Sequence, residues 1–87
     1  MAKVEIYTAM ACPFCTRALK LLSTKNANFE EIDVTLSISK RQVMRNRSNG
    51  CTTVPQIFIN NNHIGGCDDL CRLDQSGHLD KILSSVS

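Results

Sequence analysis

Within the first two dozen residues the apolar side chains change period, and the change falls on one tetrapeptide, Cys12-Pro13-Phe14-Cys15. Before it, Val4, Ile6 and Thr8 alternate with Glu5 and Tyr7, as along a short strand. After it, from Pro13 to about Ser23, Cys15, Ala18, Leu19 and Leu22 fall at i, i+3, i+4 and i+7, one helix face from which Arg17 and Lys20 are absent. A strand that runs straight into a helix opens a crossover, so the next strand is expected to lie parallel beside it. The same reading places Cys15 on the buried face and Cys12 just outside the helix start.

The rest of the chain fits around that unit. Phe29 to Val34 reads as a second strand, and Ser39 with Gln42 three residues on resembles a capping box opening a second helix to about Arg47. Gln56 to Asn60 reads as a third strand, Asn61 and Asn62 as a tight turn, and His63-Ile64-Gly65-Gly66 as a short fourth strand. Leu70 and Leu73 mark a short helix ending near Gly77, and Leu79, Ile82, Leu83 and Val86 repeat the helical spacing in a last one. The predicted class is α/β, a four-stranded mixed sheet flanked by helices, in one domain over residues 1–87. Aromatic residues make up only 5% of the chain, so aliphatic side chains must fill the core.

Charge narrows the partners. The formal net charge is +2, and the basic residues crowd into Lys40, Arg41, Arg45 and Arg47. That excess is too small to argue for nucleic acid. A solvated helix face accounts for it, and the same charges favour a small anionic ligand nearby. Lys3 and Glu5 stand where a signal peptide needs an apolar run, and no stretch reaches membrane-spanning length, so a cytoplasmic protein without membrane contact is expected. In a reducing compartment the five cysteines, Cys12, Cys15, Cys51, Cys67 and Cys71, are poor candidates for permanent staples, and an odd count leaves one unpaired.

Two readings of the Cys12/Cys15 pair survive. The start of a helix exposes unpaired N–H groups and about half a positive charge, which favours an anion there. With Cys12 as N-cap and Pro13 as the first helical residue, proline gives up an N–H that would have had no partner. Cys15 then sits at the third position, where its N–H can donate to a Cys12 thiolate and lower its pKa. A half-buried second sulfur one turn in suits the attack on a mixed disulfide. Zinc is the other reading, with Cys67 and Cys71 as further ligands, although that pair is helix-spaced and unlike finger spacings. Haem attachment needs His directly after the second cysteine, and Thr16 stands there.

Taken together, Ala11-Cys12-Pro13-Phe14-Cys15, the run from Cys51 through Thr53-Val54-Pro55 to Ile59, and His63 to Asp69 closely resemble the glutaredoxins, in particular the small dithiol type of bacteria. The likeness runs from Val4 to about Leu83. It implies a thioredoxin-like fold and a glutathione-dependent thiol–disulfide oxidoreductase, a monomer acting on glutathionylated or disulfide-containing client proteins, with glutathione as co-substrate and no metal required. It implies Cys12 as the nucleophile and Cys15 as the resolving thiol. Pro55 would be the family's cis-proline, in keeping with the near restriction of cis bonds to proline, and would turn the Val54 backbone toward glutathione for strand-like pairing. Phe14 would be a flat wall over the dithiol, and Thr53 would line the groove. Gly66, Cys67 and Asp68 would take the γ-glutamyl end through helix-start N–H groups and the Asp68 carboxylate, whose plainer alternative is a helix N-cap.

The chain also departs from the family. Many relatives carry lysine where Ala9 stands, so Arg41, Gln42 or Arg45 is considered as a substitute partner for the glycine carboxylate of glutathione. Cys51 and Cys71 are extra. Cys71 reads as a small buried apolar residue, and Cys51, in a loop near the groove, as that or as a thiol open to glutathionylation. Two rival functions of the same fold are a hydrogen donor reduced by a flavoprotein reductase and an iron–sulfur carrier using glutathione.

Overall fold

The computed structural model describes residues 2–85. Its elements are β1 (Val4–Thr8), α1 (Pro13–Thr24), β2 (Phe29–Asp33), α2 (Ile38–Arg47), β3 (Gln56–Ile59), β4 (Asn62–Gly65), α3 (Cys67–Gln75) and α4 (His78–Ser84). The sheet order is β2-β1-β3-β4. β1 runs parallel to β2, from Val4 opposite Phe29 to Thr8 opposite Asp33, and antiparallel to β3, with Ile6 opposite Ile57. As an inner strand covered on both faces, β1 buries all five of its side chains. The expected mixed sheet, parallel pair and hairpin are all present.

Strand alternation sorts the core into two clusters. Val4, Ile6, Ile57 and Ile59 meet Ala18 and Leu22 of α1, Leu70 of α3 and Leu79 of α4. Tyr7 and Phe58 point the other way and meet Val34 and Met44. Nine-residue α3 and seven-residue α4 are too short to persist alone. Burial of Leu70 and Leu79, at about 2 kcal/mol each, ties them to the sheet. Lys25, the residue that ends α1, spans to Asp74 and Asp80 at 2.7 and 2.9 Å. The hydrogen bonds to those two carboxylates hold its ammonium above the usual lysine range.

Three local expectations are corrected. The N-cap of α2 is Ser37, whose Oγ accepts from the Lys40 N–H at 3.1 Å, so Ser39 lies inside the helix. Gln42 donates forward to Asn46 at 3.1 Å instead of reaching back to a cap. The hairpin turns on Asn60 and Asn61, with φ of 53° and 67°, one residue earlier than predicted. Two consecutive left-handed residues match a two-residue turn between Ile59 and Asn62, and asparagine tolerates that conformation. The basic face of α2 is only partly solvated: Arg47 folds onto the sheet, donating to both Glu5 oxygens at 2.9 and 3.2 Å and to Tyr7 Oη at 2.9 Å. Val86, assigned to the last helical stripe, lies outside the described residues. Among the described residues no helix is long and apolar enough to cross a membrane.

Candidate active site

The end of β1 and the start of α1 put Cys12 at the top of the sheet. Ala11 takes a positive φ of 55°, and Cys12 is the extended N-cap. Its Sγ accepts from the Cys15 N–H at 3.1 Å, as a capping oxygen would, and Pro13 occupies the first turn. A thiolate at this position faces the positive end of α1, and α1 carries no acidic residue in its first turn to oppose it. Cys15, one turn in, is 3% exposed, while Cys12 is partly exposed. The pair is joined as a disulfide with Cα atoms 5.2 Å apart, the oxidised form of the dithiol.

The loop before Cys12 is anchored from β2. Asp33 accepts from the Thr35 hydroxyl and N–H at 2.6 and 2.8 Å, and Thr35 Oγ1 in turn accepts from the Met10 N–H at 2.7 Å. Those bonds from Thr35 hold the Asp33 carboxyl below the usual range. Their support of the loop is therefore complete at neutral pH and is lost only as pH falls through that lowered pKa.

Beside the dithiol runs a groove of about 300 Å³ lined by Phe14, Thr53, Val54, Pro55, Gly66, Cys67, Asp68 and Asp69. Three elements build it: the start of α1, the segment before β3 and the start of α3. The Val54–Pro55 bond is cis, and Cys12 Sγ lies 3.7 Å from the Val54 carbonyl oxygen. The sequence-predicted residues Phe14, Thr53, Val54, Pro55, Gly66, Cys67 and Asp68 thus line one groove next to Cys12. Arg41, Gln42 and Arg45 are not among its lining residues.

Helix α3 starts where expected, with Cys67 and Asp68 as its first two residues, and the plainer alternative of Asp68 as its N-cap is not realised. Gly66 is the N-cap, and its N–H donates to Asp69 Oδ2 at 3.0 Å. Asp68 is left exposed at the mouth of the groove. Asp69 was missed in the sequence, although an acidic residue three positions after a helix-opening glycine is the capping-box spacing. Gly65, at φ 122°, is required here, because a Cβ would run into the Asp69 carboxylate.

Cys67 is 4% exposed, and burial, with the adjacent Cys71 thiol, pushes its own thiol above the ordinary cysteine range. It contributes to the groove as a neutral side chain. In the reduced protein at neutral pH, iodoacetamide should modify Cys12 first and Cys67 more slowly by at least about tenfold; peptide mapping of a brief reaction reads the ratio. Cys71 is partly buried against the core, and Cys51 is partly exposed in the loop after α2.

At the start of α1 lies a second cavity, of about 500 Å³, lined by Ala9, Cys12, Pro13, Cys15 and Thr16 together with Thr8, Ala11, Leu19 and Glu31. Thr8 donates across it to Glu31 at 2.8 Å. Ala9 therefore stands near Cys12, in the lining of that cavity.

Known proteins share this arrangement. The glutaredoxin family model matches residues 4–64. Glutaredoxin 3 of Escherichia coli (strain K12) is 55% identical over 83 residues, covering 95% of this chain and 99% of that protein. The solution structure of a glutaredoxin from Brucella melitensis superposes with a TM-score of 0.83 at 48% identity, covering 95% of this chain and 89% of that one. A buckwheat glutaredoxin–glutathione complex gives a TM-score of 0.84 at 26% identity, covering 93% and 76%. The mixed sheet and its helices are thus the thioredoxin-like fold, and the chain belongs to the glutaredoxins, the glutathione-dependent thiol–disulfide oxidoreductases.

Proposed function

We propose that Cys12 is the attacking thiolate, Cys15 the resolving thiol, and the groove between Phe14 and Asp68 the seat of the glutathione moiety. The observation that carries this reading is the position of Cys12 Sγ, capping α1 at 3.1 Å from the Cys15 N–H and 3.7 Å from the Val54 carbonyl beside the groove. On a glutathionylated client, the Cys12 thiolate attacks the glutathione sulfur. The S–S bond breaks, and the client leaves as a thiolate that takes a proton from solvent. A second glutathione thiolate then attacks the Cys12-bound sulfur, releasing glutathione disulfide and the Cys12 thiolate. On a client disulfide, Cys12 forms a mixed disulfide with the client. Cys15, having lost its proton, attacks Cys12 Sγ, closes the pair and releases the client dithiol. Two glutathione molecules reopen the pair and leave as glutathione disulfide.

The groove supplies direction. Val54, in the bend before β3, offers its N–H and C=O to the cysteinyl backbone of glutathione. The first N–H groups of α3, at Cys67 and Asp68, suit the γ-glutamyl carboxylate, and the Asp68 side chain suits its ammonium. Pairing at both ends aims the glutathione sulfur at Cys12. The binding part of the reading is tested by Asp68→Ala, which should raise KM for a cysteine–glutathione mixed disulfide about tenfold with little change in kcat. An unchanged KM would remove Asp68 from the site.

The chain is further proposed to act as a monomer on client proteins in the reducing cytosol, with no metal needed to fold. The two core clusters leave the fold no evident need of a metal staple. A chelator added to the reduced protein should leave its melting temperature unchanged, whereas a fall of several degrees would favour the zinc reading.

A further inference from the structure

Gln56 opens β3 with its side chain 3% exposed on the sheet face that carries Tyr7 and Phe58. Its Nε2 donates to the Thr53 carbonyl at 3.1 Å and to Thr53 Oγ1 at 3.3 Å, and its Oε1 lies 2.6 Å from His63 Nε2. A carbonyl oxygen only accepts, so the amide nitrogen must face Thr53 and the amide oxygen must face His63. His63 Nε2 therefore carries a hydrogen, and it does so whether the ring is neutral or protonated. The ring is itself held, 5.0 Å from the Phe58 ring, which lies 4.1 Å below the Arg47 guanidinium. A buried amide with both of its polar atoms engaged thus ties Thr53, in a segment outside the sheet ladder, to the packed hairpin behind it.

We propose that Gln56 is a positioning residue for glutathione: it fixes Thr53, and through Thr53 the adjoining Val54 backbone, in the geometry that the ligand pairs with. This rests on the reading of the Thr53–Pro55 edge as the seat of glutathione. A ligand that adds as a strand binds more tightly to an edge already ordered, because ordering does not have to accompany binding. The side chain does not touch the reacting sulfurs, so its loss acts on affinity and not on the chemical step.

The test compares Gln56→Glu with His63→Ala. Glutamate keeps an acceptor for His63 and puts an oxygen against the Thr53 carbonyl, which expels that segment from its position. KM for a cysteine–glutathione mixed disulfide should rise about tenfold, with kcat within about twofold of wild type. His63→Ala, at an exposed position on edge strand β4, loosens the far end of the amide and should raise KM about twofold to threefold. Amide chemical shifts followed during titration with glutathione disulfide separate the possible failures. In wild type the amides of Thr53, Val54 and Cys67 should move, and Gln56→Glu should need about tenfold more ligand for the same displacement. If these amides move at wild-type concentrations in a folded Gln56→Glu protein, and KM is unchanged, the positioning role is wrong and the groove reading stands. If none of them moves in wild type, the groove reading fails and the positioning role with it. A parallel fall in kcat and melting temperature in both variants would mark the network as merely structural and overturn the proposal. Should Gln56→Glu not fold, an unchanged KM in His63→Ala overturns it alone.

Discussion

Cys12→Ser is expected to abolish turnover of every disulfide substrate, by about a thousandfold or more, while Cys15→Ser still removes glutathione from a small mixed disulfide. The asymmetry follows from where the two sulfurs sit. Serine at position 12 keeps an acceptor for the Cys15 N–H, the bond that closes the start of α1 at 3.1 Å, so the fold persists without the proposed nucleophile. Cys15 cannot take over, because at 3% exposure on the core face of α1 it is out of reach of an incoming disulfide. Serine at position 15 keeps the backbone N–H that caps Cys12 and removes the second attack, which a further glutathione replaces on a mixed disulfide but not on a client disulfide. A glutathione-coupled assay on each substrate class reads both arms. Cys12→Ser activity within tenfold of wild type would overturn the assignment.

Arg47→Ala is expected to be strongly destabilising, costing about 2–4 kcal/mol. The guanidinium reaches both oxygens of Glu5, donates to Tyr7 and lies over the Phe58 ring. Side-chain exposures of 24% for Arg47 and 11% for Glu5 shield the pair from water and salt. The hydrogen bonds to Glu5 raise the Arg47 pKa further above its already high ordinary value, so the pair does not break by loss of the arginine proton. Truncating the arginine leaves the Glu5 carboxylate inside the sheet without its partner. For a domain of this size the loss corresponds to a melting temperature lower by about 10–20 °C. The double variant Glu5→Leu, Arg47→Met should recover much of it, since an apolar pair of similar volume carries no desolvation cost. A change of under about 0.5 kcal/mol in Arg47→Ala would show the contact to be a solvated surface pair.

These expectations also show what the chain made legible and what it hid. The crossover was readable because Val4, Ile6, Cys15, Ala18 and Leu22 hold their periods without interruption. The dithiol was readable because its chemistry is local: a cap, a proline and a third-position N–H lie within four residues. The groove combines segments more than 50 residues apart in sequence, from Phe14 to Asp68, and no periodicity links them, so it was legible only through the family likeness. Arg47 was misread because a helix pattern distinguishes the two faces of α2 but not a long side chain that bends back over the sheet. The Gln56 amide was silent for a related reason, since a polar residue opening a strand reads as a boundary and its partners Thr53 and His63 are set by tertiary placement. Ser37 and Ser39 both qualify as caps, and only the backbone angles of Ser37 choose between them.

The start of α1 is expected to make Cys12 an anion at neutral pH. Thiolate absorbance against pH tests it in the reduced protein, with Cys51→Ser, Cys67→Ser and Cys71→Ser so that only the active-site pair contributes. One thiol is predicted to ionise well below the ordinary cysteine value of about 8.5, and Cys12→Ser should remove that step. Ala9→Lys, beside Cys12, should lower it only modestly further, and salt should erase the added part while leaving the helix contribution. A Cys12 that titrates at the ordinary value in the Ala9 protein, and drops only when lysine is introduced, would contradict the claim that helix capping activates it.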